Sequence, residues 1–140
     1  MVRALLIVDH GSRVAVANES VGAVATLLRT KGEYDIVLGA HMELAAPDIA
    51  TALGDAVRQG AADVTVVPFM LAPGRHATED IPRLVAEAAS QHAGVTWRVT
   101  APLGVHDLLA QLVLERAREA QPPGSGGAST TSLDASSEAI

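Results

Sequence analysis

Histidine and arginine come together twice in this chain, each time just after a run of aliphatic residues. Leu5-Leu6-Ile7-Val8 ends in Asp9-His10-Gly11-Ser12-Arg13, and Val66-Val67-Pro68 leads through Phe69-Met70-Leu71-Ala72-Pro73-Gly74 to Arg75-His76. Of the five histidines, His10, His41, His76 and His106 fall at or just beyond the ends of such runs; only His92 lies elsewhere. Neutral imidazole binds divalent transition metals, and the ring titrates near neutral pH, so a cluster on one rim points to metal handling or proton transfer. Taken singly, a histidine in a polar loop is ordinarily a tolerated surface residue. His92 reads that way, as a cation near a helix end, and His106 reads as a helix-start residue. Glu43 is either a solvated residue ahead of a helix or, on the same rim, a carboxylate base or metal ligand. Arg13 and Arg75 either confer solubility or make fork-like pairs with carboxylates or phosphates. No Gly-rich phosphate cradle is present, Asp9 would repel a phosphate, and Ser12 lacks the G-x-S-x-G elbow of a nucleophile.

Such residues need a scaffold that brings distant strand ends to one edge. Residues 3–8, 35–40, 63–68 and 95–100 read as buried strands, because each is a short apolar or β-branched run bounded by polar or glycine-containing loops. Between them, 14–31 carries Val16, Val21, Val24, Leu27 and Leu28 at helical spacing, with Gly32 as its stop signal. Pro47 sits near the first turn of a second helix running to about Gln59. A third helix is expected from Ile81 to Gln91, capped by Thr78 with Glu79 and Asp80 at its positive end, and a fourth from Val105 to Ala120. The βαβαβαβα order implies a parallel sheet with right-handed crossovers and helices on both faces. A flavodoxin-like α/β fold with strand order 2-1-3-4 sets the first and third strands side by side at the switch point, where such sheets bind ligands. His10 and His76 are then expected in one crevice.

Composition narrows the chemistry. At 140 residues the chain suits one core, expected over 1–120, with a polar, disordered tail over 121–140 rich in Pro, Gly, Ser and Thr. Apolar residues make up 49% but aromatics only 2%, which suits a Val, Leu, Ile and Ala core and leaves no stacking platform for single-stranded nucleic acid. Sixteen acidic residues against ten basic ones, a net charge of -6, also argue against binding a nucleic-acid backbone. Without cysteine, any metal must be held by His, Asp or Glu. No apolar run is long enough to span a membrane, and the start runs into charged residues without a leader-like core. The expectation is a cytoplasmic protein.

At these residues the sequence resembles the class II chelatases of the CbiX/SirB type, which insert a divalent metal into sirohydrochlorin or a related modified tetrapyrrole. The matching pieces are His10-Gly11-Ser12-Arg13, Met42-Glu43-Leu44-Ala45-Ala46-Pro47-Asp48-Ile49, Pro68-Phe69-Met70-Leu71 through Gly74-Arg75-His76 to Asp80-Ile81-Pro82, and Pro102-Leu103-Gly104-Val105-His106. They keep order and spacing across nearly all of residues 1–120, and are specific as a set. The resemblance implies that His10 and His76 bind the incoming metal and take part in its insertion, with Glu43 an acidic partner. Arg13 and Arg75 would hold the substrate's peripheral carboxylates. His41 departs from the family pattern, which more often has an aromatic there, and is counted with the substrate-binding residues as an extra ligand or a changed pocket wall. The metal, Co2+, Fe2+ or Ni2+, is substrate, and no fixed cofactor is implied. As a short family member the chain is expected to form a homodimer enclosing the macrocycle.

Two other readings use the same residues. A histidine-phosphatase-like enzyme would phosphorylate His10, but it wants an arginine directly before that residue, where this chain has Asp9. A non-catalytic metal or tetrapyrrole carrier would use the same crevice without accelerating insertion.

Overall fold

The computed structural model describes residues 1–72 and 74–123, except for the side chain of His76. Pro73 and residues 124–140, the greater part of the expected tail, lie outside the described residues. The elements run β1 (Arg3–Asp9), α1 (Ala15–Lys31), β2 (Ile36–His41), α2 (Ile49–Arg58), β3 (Asp63–Pro68), α3 (Arg75–Ala89), β4 (Thr96–Val99) and α4 (Asp107–Glu119). The strands form one parallel sheet in the order β2-β1-β3-β4, as the sequence implies.

Alternation along β1 divides the core. Ala4, Leu6 and Val8 pack with α2 and α3 residues such as Leu53, Ala56, Ile81 and Val85, whereas Leu5 and Ile7 face Val21 and Ala25 of α1. The largest fully buried side chains are all Leu, Ile or Val, as expected of a core starved of aromatics. On α1 the buried stripe is narrower than the apolar pattern suggests: Val21 and Ala25 are buried, but Val16 and Leu27 face solvent. Gly32 ends α1 in the left-handed conformation, with its N–H bonded to the Arg29 carbonyl, the device that favours glycine there.

The largest difference from the sequence reading is α3, which begins at Arg75 rather than Ile81 and is capped by Gly74 rather than Thr78. Pro82 lies inside this helix, and a proline interior to a helix removes one backbone bond and crowds the preceding turn. Ala77, Ile81 and Val85, spaced at i, i+4, i+8, are nonetheless all buried. The burial of that stripe outweighs the local cost and carries the helix back past the proline. Pro47 also shifts role: α2 starts after Asp48, whose carboxylate accepts from the Thr51 backbone N–H at 2.8 Å, so Pro47 stands just outside the helix.

At the amino-terminal ends of the strands, Asp63 of β3 receives the Arg98 guanidinium of β4 at 2.9 Å and the Thr96 hydroxyl at 2.6 Å. Arg98 first, and Thr96 second, hold the Asp63 carboxyl below its ordinary range. The chain divides into the units Met1–Gly104 and Val105–Ile140. In the second, the described residues centre on α4, which buries no residue and leaves Leu108, Leu112, Val113 and Leu114 exposed. No helix among the described residues is long and apolar enough to cross a membrane.

Candidate functional site

Three strand ends build the rim. In the parallel register Asp9 lies opposite His41, and Val8 opposite Pro68. Pairing continues past these ends: the Met42 N–H donates to the Asp9 carbonyl at 2.9 Å and the Glu43 N–H to the His10 carbonyl at 3.1 Å. On the other side the Phe69 N–H donates to the Val8 carbonyl at 2.6 Å. His10 therefore leaves β1 with its backbone tied to Glu43. Both residues are exposed, as is Arg13.

The turn after His10 is closely fitted. Gly11 has a φ of 88°, and a β-carbon there would sit 1.7 Å from the Glu43 carbonyl oxygen. Beyond it, Asn18 braces the loop from α1: its Oδ1 accepts from the Ser12 N–H at 2.9 Å and its Nδ2 donates to the Ser12 carbonyl at 2.8 Å. Neither Asn18 nor this brace stood out in the sequence, because an asparagine in an exposed helical turn is commonplace.

His41 is placed differently from the other rim histidines. It is 4% exposed, and its Nδ1 lies 2.6 Å from Asp9 Oδ1. Its backbone N–H donates to the Pro47 carbonyl at 2.9 Å, folding the intervening loop back on the strand end. Within that loop Leu44 takes a φ of 68°, an uncommon conformation for a non-glycine residue. His41 is among the residues lining a surface cavity of about 280 Å3, with Ala15, Asn18, Glu19, Gly39 and Pro47. The partner Asp9 was legible in the sequence only as a charge that would repel phosphate.

His76 is the second residue of α3, so its backbone stands where the chain returns from the end of β3 into a helix. Its side chain lies outside the described residues. Arg75 is exposed and meets Glu79 at 3.6 Å along the same helix, a surface pair of the kind that contributes little. His106 caps α4, accepting from the Leu108 N–H on its Nδ1 at 3.0 Å, and His92 lies just beyond α3. The helix-start and helix-end readings of these two agree with their positions. Among the described residues no group of three or more His, Asp or Glu side chains is arranged to hold a metal ion.

Comparison with known proteins gives this arrangement a family. The CbiX family model matches residues 4–120. The chloroplastic sirohydrochlorin ferrochelatase of Arabidopsis thaliana is 46% identical over 112 residues, covering 80% of this chain and 50% of that protein. A sirohydrochlorin cobaltochelatase of Methanococcoides burtonii is 33% identical over 123 residues, covering 82% of this chain and 94% of that protein. The chain thus spans half of the plant relative's length and nearly all of the archaeal one. Among solved structures, a putative cobalamin biosynthesis CbiX protein from Marinobacter aquaeolei aligns with a TM-score of 0.71 at 32% identity, covering 84% of this chain and 95% of that one. The sirohydrochlorin chelatase SirB from Bacillus subtilis subspecies spizizenii, in complex with cobalt, aligns with a TM-score of 0.77 at 31% identity, covering 85% of this chain and 51% of that one. On sequence and structure together, the chain belongs to the CbiX family.

Proposed function

We propose that this protein is a chelatase that inserts a divalent metal, Co2+, Fe2+ or Ni2+, into sirohydrochlorin or a related tetrapyrrole. The observation that carries the reading is the tie between His10 and Glu43 on the strand-end rim, in a chain whose relatives are named sirohydrochlorin ferrochelatase and cobaltochelatase. Insertion breaks two pyrrole N–H bonds and forms metal–nitrogen bonds, releasing two protons for each cation taken up. A metal that must be handed on is better held by a few imidazole and carboxylate donors than by a closed cage. His10 and His76 carry the metal in this scheme, and Glu43 accepts protons as the ring nitrogens deprotonate. Arg13 and Arg75 pair with the carboxylates at the edge of the macrocycle.

The reading extends to a cytoplasmic homodimer with residues 1–120 as the chelatase domain. A flat tetrapyrrole has two faces, and one open rim covers only one of them. The decisive experiment mixes the protein anaerobically with sirohydrochlorin and Co2+, Fe2+ or Ni2+ and follows the absorption spectrum. Insertion well above the uncatalysed rate is expected, and His76→Ala should lower it by about 100-fold or more with the circular dichroism unchanged. A protein that binds metal and tetrapyrrole without accelerating their union is a carrier, and that result would overturn the proposal.

A further inference from the structure

The chelatase reading assigns work to His10, Glu43 and His76, whereas His41, counted with the substrate-binding residues on the resemblance, is buried against Asp9. Resting on that reading, we infer that Asp9 and His41 are positioning residues, which set the spacing of His10 and Glu43 without touching metal or tetrapyrrole. His41 is almost wholly buried, with its ring Nδ1 on Asp9 Oδ1 at 2.6 Å, and the side chain of Asp9 is 19% exposed. These two are register partners at the last paired step of β1 and β2. One residue further along β1 comes His10, and two further along β2 comes Glu43.

Beyond that step the strand ends are joined by two backbone bonds, Met42 to Asp9 and Glu43 to His10. Nothing in those bonds is particular to this sequence. The ring–carboxylate bond is the side-chain link between the two ends, placed where regular pairing gives way to loops. His41 also anchors the returning loop through the Pro47 carbonyl, and the loop between holds Leu44 at a φ of 68°. Loss of the ring–carboxylate bond would free the two strand ends at the step just before His10 on one side and two residues before Glu43 on the other. Partners that orient ligands in this way typically alter metal affinity by about 10- to 100-fold when removed.

The test compares the wild-type chain with His41→Phe, His41→Asn and Asp9→Ala, by titration with Co2+ alone, read in the visible absorption of the bound ion, and by cobalt insertion kinetics. Phenylalanine keeps the ring volume and removes the donor; asparagine returns an amide N–H near the place of Nδ1–H. His41→Phe and Asp9→Ala should weaken Co2+ binding about tenfold, change the visible band and raise the KM for Co2+ more than they lower kcat. His41→Asn should recover most of the loss. Unchanged Co2+ binding and KM in a folded His41→Phe overturn the inference, as does a folded His41→Asn as impaired as the phenylalanine variant, since the imidazole itself would then be the contact. If His41→Phe does not fold, Asp9→Ala, which breaks the same bond from its more hydrated side, decides against His41→Asn. A wild-type chain that binds Co2+ in this pattern yet inserts nothing sinks the chelatase reading and leaves the pair standing. Wild-type insertion with indifferent variants sinks the pair alone, and a wild-type chain that binds no Co2+ sinks both.

Discussion

At Gly11 the backbone takes a φ of 88°, and an added β-carbon would fall 1.7 Å from the Glu43 carbonyl oxygen, so both the conformation and the space demand glycine. Gly11→Ala is expected to cost about 1–3 kcal/mol from the backbone alone, with the clash in addition, and to push the His10 and Glu43 segments apart. Thermal unfolding of that variant should show a lowered midpoint, and its metal insertion should fall with it. His10→Ala poses the cleaner question, because the residue is exposed and its removal leaves no buried group unpaired. Its unfolding midpoint should match the wild type while insertion drops by about 100-fold or more. His10 and Glu43 could be singled out in the sequence because polar residues just past aliphatic runs are easily seen. The Asp9–His41 bond could not: it depends on which residue of one strand lies opposite which residue of the next, and a register slip of one position would send the two side chains to opposite faces.

The run Thr78-Glu79-Asp80 drew the start of the third helix to Ile81 in the sequence, since a hydroxyl cap followed by carboxylates ordinarily marks a helix start. The buried stripe Ala77, Ile81 and Val85 reverses that inference, and in doing so moves His76 from a loop into the first turn of α3. Pro82→Ala should restore the missing backbone bond to the Thr78 carbonyl and raise stability by about 1 kcal/mol or more, read as a higher urea midpoint at unchanged slope. At the far end of the sheet, Asp63 pins β4 through Arg98 and Thr96, and its carboxyl is held below the ordinary range. The folded chain therefore takes up a proton at Asp63 less readily than the unfolded chain does. The stabilisation is complete above the unfolded pKa and disappears as pH falls through the lowered folded value. Arg98→Ala should thus lower the unfolding midpoint at neutral pH, and the gap from the wild type should narrow progressively as pH is taken down from the ordinary aspartate value through the lowered folded one. A gap that stays constant throughout the acid limb, down to acid unfolding, would remove the ion pair from the account.

For the molecule as a whole, the proposed dimer and the polar tail make separate expectations. Light scattering on the purified chain should return twice the mass of 14.4 kDa; a monomer that still inserts metal would show that one rim suffices. Removal of residues 121–140 should leave both the unfolding midpoint and insertion unchanged, because that stretch offers little to bury. The order of strands and helices, the aliphatic core and the absence of thiolate chemistry were settled by the sequence itself, since hydrophobic period and composition are properties of neighbouring residues. The sequence also shows His10 and Glu43 as polar residues just past aliphatic runs. Tertiary structure alone decided which of them meet: that His10 is tied to Glu43, that His41 turns inward to Asp9, and that α3 reaches back to His76. Each of those outcomes is fixed by pairing or burial between segments far apart in the chain, where the free energy of contact overrules the preference of any local stretch.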